Sequence, residues 1–249
     1  MQKLKSNPMK KTTFLITVLS FSTILLWSQK KSDSSIPLIG STAPSFKAES
    51  TNGPISFPDD YGKNWKIIFS HPQDFTPVCS SELLELAHLQ PEFDRLGVKI
   101  IVVSTDKLSQ HISWKAALET IEYGGRMPQK INFPLVSDEN YLISEKYGMF
   151  HYQKSTAKDI RGVYIVDPEN IVQATYFYPY SIGRNMNEFV RTVKALQTAE
   201  DNVVIPANWE PGDDVMLTYL SDQDKMEKET TNSTSIYEVS WFMIFKKMP

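Results

Sequence analysis

"WKIIFSHPQDFTPVCSSELLELAHL" spans residues 65–89 and contains the only cysteine of the chain. Its first six residues read as a buried strand, with Ile67, Ile68 and Phe69 in one continuous apolar run. Thr76-Pro77 is a helix-start signal: threonine at the N-cap and proline at the first helical position, where a missing N–H costs nothing. Helical spacing at Leu83, Leu86, Ala87 and Phe93 carries that helix from Val78 to about Leu96. The turn between strand and helix therefore delivers Cys79 to the first helical turn.

That position has chemical consequences. A single cysteine can neither close a disulfide within the chain nor build a cysteine-rich metal site. First-turn N–H groups lack intrahelical acceptors, and the helix dipole adds partial positive charge there. Both favour thiolate over thiol, and the thiolate is the nucleophile. Thr76 can offer its hydroxyl to an oxygen of an attacking group, while Pro72 and Pro77 restrict the loop and remove two donors. The competing reading is a small buried hydrophobe. His71 suits a base or a hydrogen-bonded structural residue, and His88, His111 and His151 show no ligand spacing with it, so no metal site is expected.

Outward from this stretch, "GVKIIVVST" (97–105) is a second buried strand. "LSQHISWKAALETIEY" (108–123) reads as a helix capped by Ser109, with Ile112, Ala116 and Ile121 on its apolar side. "INFPLVSD" (131–138) is a short strand, and "NYLISEKYG" (140–148) a short helix closed by Gly148. "RGVYIVDPENIVQATYFY" (161–178) contains two strands around a DPEN turn. "NMNEFVRTVKALQTAE" (185–200) is an amphipathic helix with Asn185 as N-cap and Phe189, Val190, Val193 and Leu196 on one face. Beyond Asp201 the periodicity weakens; "VVIPANWEPGDDVML" and "YEVSWFMIF" suggest a smaller C-terminal unit separated by a polar stretch. Alternating strands and helices argue for an α/β fold, and the cysteine follows a core strand, where such folds place ligand chemistry.

The first 31 residues stand apart. A lysine-rich front precedes the apolar-rich run "TTFLITVLSFSTILLWS" (12–28), which suits a secretory signal or an uncleaved membrane anchor. It is short for a spanning helix, which needs about 20 apolar residues. These residues hold six lysines and no acid, so removing them takes the formal charge from −3 to −9 (−3 − 6). An acidic remainder is a poor nucleic-acid binder, since neutralising phosphates needs a basic surface. The expected organisation is a leader and linker at 1–31, a main domain at 37–200 and a C-terminal domain at 201–249, exported or membrane-anchored.

"PQDFTPVCSSE" resembles the peroxiredoxin active-site pattern Pro-x-x-x-Thr-x-x-Cys, in the longer form of the one-cysteine, peroxiredoxin-6-like branch. "GSTAPSFKAESTNG", "VVSTDKLSQHISW", "FPLVSD", "YPYSIGRNMNEFVRTVKALQ" and "VVIPANWEPGDDVML" are similar to other segments of that branch, in the same order, over roughly residues 37–220. The resemblance implies a thioredoxin-like fold with a smaller C-terminal peroxiredoxin domain and a thiol-dependent peroxidase activity in antioxidant defence, with no cofactor. By position it makes Cys79 the peroxidatic cysteine, Thr76 and Pro72 its loop, Arg161 the active-site arginine, Glu82 the residue that orients it, and His71 a histidine near the pocket. Arg184 stays open between a capping and a bridging role. Hydrogen peroxide or an alkyl hydroperoxide would be the substrate and an external thiol the reductant, with a homodimer expected. Some members also carry a phospholipase serine and histidine; here those positions fall at Asn64 and near Pro58, so that activity is not expected. The alternatives are a non-catalytic thioredoxin-fold binding or chaperone protein, and a cysteine acyl-transfer enzyme using His71.

Overall fold

A computed structural model describes residues 36–248, apart from 152, 154, 156, 200–201, 223 and 226–234. The N-terminal leader expected at 1–31 lies outside the described residues. No helix among the described residues is long and apolar enough to cross a membrane.

The chain opens with a small hairpin, β1 (Phe46–Ala48) and β2 (Ile55–Phe57). Then follow β3 (Trp65–Ser70), α1 (Pro77–Arg95), β4 (Val98–Ser104), α2 (Leu108–Leu118), β5 (Leu135–Ser137) and the short α3 (Leu142–Lys146). The hairpin β6 (Arg161–Val166) and β7 (Val172–Tyr178) leads into α4 (Met186–Thr198). Strands β3 to β7 form one sheet in the order β5-β4-β3-β6-β7, parallel from β5 to β3 and antiparallel from β3 to β7. A parallel strand–helix–strand unit followed by an antiparallel hairpin is the expected thioredoxin-like arrangement.

The continuous apolar runs have a simple cause: both faces of this sheet are covered. Successive side chains point to opposite faces. Ile67, Phe69, Ile100, Val102, Val163 and Ile165 join one core with α1 and α4. Ile68, Ile101, Val103, Tyr164 and Val166 join a second core with Phe46, Phe57 and Tyr147. The β6–β7 turn closes on Asp167, whose carboxylate accepts from Ile171 N at 2.8 Å, and Asn170 takes the left-handed conformation there (φ 67°).

Residues 203–246 add a separate four-stranded sheet: β8 (Val203–Val204), β9 (Val215–Leu217), β10 (Ile236–Ser240) and β11 (Met243–Lys246), in the order β10-β11-β9-β8. The β10–β11 turn leaves Trp241 85% and Phe242 63% exposed.

Two expectations for α2 need correction. The helix starts at Leu108 with Lys107 at the cap position, so Ser109 is not its N-cap. Its buried face is His111, Trp114 and Leu118, while Ile112 and Ile121 are exposed. The reason is polar: His111 finds hydrogen-bond partners in the core, so the turn that buries it rotates Ile112 outward. The helix α4 follows its sequence pattern, with Asn185 Oδ1 accepting from Asn187 N at 3.1 Å.

Phe189 sits edge-on to both Phe69 and Tyr176, with centroids 5.3 Å away in each case, and is fully buried. Phe189→Ala is expected to cost about 3–5 kcal/mol, measured as a lower denaturation midpoint with an unchanged m-value.

Candidate active site

The strand β3 ends at Ser70, and the loop through Pro72 and Phe75 turns the chain into α1. Phe75 takes a left-handed conformation (φ 55°), rare for an aromatic residue. Thr76 occupies the N-cap position with extended backbone, but its side chain makes no cap bond. Its hydroxyl instead donates to Gln73 O at 2.8 Å, so toward a ligand it presents acceptor lone pairs. The helix has Pro77 at its start and its first intrahelical bond at Ser80 N, which donates to Thr76 O at 2.9 Å. The N–H groups of Val78 and Cys79 are left with no acceptor among the described residues.

Cys79 is 0% exposed. Arg161, the first residue of β6, places Nη1 3.2 Å from its sulfur and 2.8 Å from Glu82 Oε2. Its other face is fixed by Tyr180 O, which accepts from Nε at 3.0 Å and Nη2 at 2.5 Å. Glu82 lies one helical turn beyond Cys79, so the two share a helix face.

Arg184 completes this cluster, and sequence reasoning left its role open. Its backbone N and its Nε donate to Glu82 Oε1 at 2.8 and 2.9 Å, and Nη2 donates to Oε2 at 2.7 Å. Nη1 bonds the carbonyls of Ser70 and Gly162, both at 2.9 Å, and the guanidinium lies over the Phe69 ring. Thus the loop before α4 is tied to α1, β3 and β6 through one side chain. Burial alone would raise the Glu82 carboxyl; the Arg184 and Arg161 guanidiniums overcome it and hold the group below its ordinary value. Two buried guanidiniums face one carboxylate, which leaves one positive charge without a partner.

A cleft of about 850 Å³ is lined by Pro72, Thr76, Pro77, Val78 and Arg161 among others, and the covered Cys79 is not among its lining residues. The stretch that carries Pro72, Thr76, Cys79 and Glu82 is therefore brought together with Arg161, which is remote in sequence.

His71 goes elsewhere. It does not line the cleft; its Nε2 meets Asp74 Oδ1 at 2.8 Å, and Asp74 Oδ2 meets His111 Nδ1 at 2.7 Å. Spacing gave no hint of this His–Asp–His cluster, because His111 sits on a different element from His71 and Asp74. Its ligand-type atoms lie within 4.8 Å of one another. They are already committed to hydrogen bonds, so the arrangement fits a proton-bearing anchor better than a metal site. His111 Nε2 faces Val136 O at 3.2 Å, so both ring nitrogens have a partner. Burial pushes His71 down, which makes it the neutral donor of the set, with Nδ1 buried and without a partner. Burial would raise Asp74, but the hydrogen bonds from His111 and His71 prevail and lower it. The cluster pins the loop that carries Thr76.

A buried thiol held by an arginine beside an apolar-walled cleft, on a helix that follows a core strand of a thioredoxin-like sheet, fits a thiol peroxidase type of site. Comparison with known proteins agrees. Residues 39–175 match the AhpC/TSA family, and residues 195–232 match the C-terminal domain of 1-Cys peroxiredoxin. A peroxiredoxin of Methanosarcina mazei is 43% identical over 218 residues, covering 85% of this chain and 98% of that protein. The mitochondrial peroxiredoxin PRX1 of Saccharomyces cerevisiae is 36% identical, covering 81% of this chain and 79% of that one. Among solved structures, a cysteine-to-serine mutant of peroxiredoxin 6 of Arenicola marina superposes with a TM-score of 0.75 at 29% identity, covering 85% of this chain and 98% of that one. A yeast mitochondrial 1-Cys peroxiredoxin, solved to study thiol resolution via glutathione/thioredoxin systems, gives 0.73 at 32% identity, covering 86% and 100%. The chain belongs to the AhpC/TSA family of peroxiredoxins, in its 1-Cys branch, and is a thiol-dependent peroxidase.

Glu82→Gln removes the carboxylate between two buried cations and is expected to destabilise the fold by about 3–5 kcal/mol. Because the folded-state value lies below the ordinary one, the unfolded chain binds more protons in acid. The carboxylate's contribution is complete above the ordinary value of 4.5 and fades as pH falls through the lowered folded value. Urea midpoints measured from pH 7 down to pH 3 should show this acid limb in the wild type and a weakened one in Glu82→Gln.

Proposed function

We propose that Cys79 attacks as thiolate on the distal oxygen of hydrogen peroxide or an organic hydroperoxide. The sulfur–oxygen bond forms as the O–O bond breaks, giving sulfenic acid on Cys79 and water or an alcohol once the leaving oxygen takes a proton. The observation that carries this reading is Arg161 Nη1 at 3.2 Å from the sulfur, where a guanidinium can steady both the thiolate and the departing oxygen. Thr76, with its proton engaged by Gln73 O, accepts a hydrogen bond from the peroxide and so sets its direction. Pro72 walls the approach. Glu82 and Arg184 are positioning residues acting through Arg161. Since Cys79 is fully covered, the cycle includes a movement that uncovers the sulfur to the peroxide.

A chain with one cysteine needs an outside reductant, and an external thiol fits the chemistry. A homodimer is the assembly that the family membership favours, and the exposed Trp241–Phe242 tip offers apolar surface for such a contact. The lysine-flanked apolar run at 12–28 supports export or membrane anchoring.

Cys79→Ser should abolish peroxide consumption, and Arg161→Ala should slow Cys79 oxidation by about 10²–10³-fold, the scale of losing one preorganised charge-stabilising donor. Stopped-flow oxidation by hydrogen peroxide and intact mass, showing one oxygen gained, measure this. Oxidation of the wild type no faster than that of a free thiol would favour the non-catalytic binding reading.

A further inference from the structure

The cleft is far larger than hydrogen peroxide requires. About 850 Å³ is the size of a pocket for an organic molecule of many heavy atoms. Its walls are mainly apolar, with Ile160, Phe177, Tyr178, Pro179 and Tyr180 on one side.

Its charges are one-sided. Lys158 lines the cleft, and its Nζ donates to the side-chain oxygen of Gln73, a neutral group on the opposing loop. No carboxylate pairs with Lys158 among the described residues. Arg161 shares its single carboxylate with Arg184. One acidic residue, Asp159, is found among the described lining residues, and its surroundings strip it of charge. Ser144 Oγ lies 2.7 Å from Asp138 Oδ2 and 3.1 Å from Asp159 Oδ2, yet a hydroxyl has one hydrogen. Asp138 also accepts from the N–H groups of Ile143 and Ser144 at 3.0 and 2.7 Å, and it takes that hydrogen at the shorter distance. The contact to Asp159 is then a hydrogen bond only if Asp159 is the donor, as a carboxylic acid. Burial, with the Asp138 and Asp106 charges nearby, raises Asp159 well above the ordinary range in accord with this count. The result is a cationic, apolar-walled cleft in a chain of net charge −3, and such a cleft concentrates anions of matching shape.

We infer that the cleft selects carboxylate-bearing organic molecules with an apolar body, and that Lys158, at its mouth, is the specificity-determining residue. The inference rests on the peroxidase reading and deepens it. The carboxylate belongs to the hydroperoxide in the oxidative step or to the thiol in the reductive step.

Matched pairs that differ only in charge separate these sources. In stopped flow, Cys79 is oxidised with linoleic acid hydroperoxide or its methyl ester, and the sulfenic acid is then reduced with 3-mercaptopropionate or its methyl ester. The wild type should prefer the acid over the ester in one of the two steps, and added salt should shrink that preference. Lys158→Met should lower the acid-to-ester ratio about fivefold, the upper scale for a part-exposed charge contact. Lys158→Glu should lower it further, and Lys158→Arg should retain it. A preference in the first step assigns the carboxylate to the hydroperoxide, and in the second to the thiol. Ratios that do not respond to Lys158→Met in either step overturn the inference. Failure of the wild type to oxidise with hydrogen peroxide would instead sink the peroxidase reading, whatever the ratios.

Discussion

One carboxylate held between two buried arginines organises this molecule. Glu82 accepts from Arg184 and Arg161 in a place closed to water, and each guanidinium also reaches backbone carbonyls of another segment. The desolvation cost of three buried charges is large, and it is offset only because nearly every donor has an acceptor. The same completeness fixes geometry: a guanidinium held at Tyr180 O and Glu82 has little freedom to leave the sulfur. Stability and reactivity thus depend on one set of contacts.

The thioredoxin-like sheet serves this cluster by bringing distant segments to one end of its inner strands β3 and β6. β3 and α1 bring Cys79 and Glu82, the neighbouring antiparallel strand brings Arg161, and the return into α4 brings Arg184. The second buried network, around Asp74, fastens the loop between β3 and α1 from below through His71 on one side and His111 of α2 on the other. The strained Phe75 lies between these two anchors. Such a backbone conformation persists only where its surroundings over-determine it. The loop is therefore rigid at its base, while Pro72 and Thr76 face the open cleft.

Charge distribution gives the enzyme a second level of selectivity beyond the reacting sulfur. The chain as a whole is acidic, yet the cleft is lined by cations whose counter-charges are either shared or neutralised by burial. A small peroxide senses mainly the arginine beside Cys79, whereas a larger molecule meets the aromatic wall and Lys158.

Much of this was legible in residues 65–89 alone. The apolar run of β3, the Thr76-Pro77 helix start and the placement of Cys79 follow from local sterics and hydrogen-bond supply, which act within a few residues. The motif order carried the family, and with it Arg161 and Glu82. Other features needed the folded chain. The buried face of α2 could not be read from spacing, because His111 is polar and is buried for the sake of Asp74 and Val136 rather than by apolarity. The bridging role of Arg184, the departure of His71 from the cleft and the uncharged state of Asp159 arise from contacts between segments remote in sequence. Local sequence determined which elements form and where the thiol sits along the chain. Tertiary structure decided which charges meet, because burial and pairing are properties of neighbours in space.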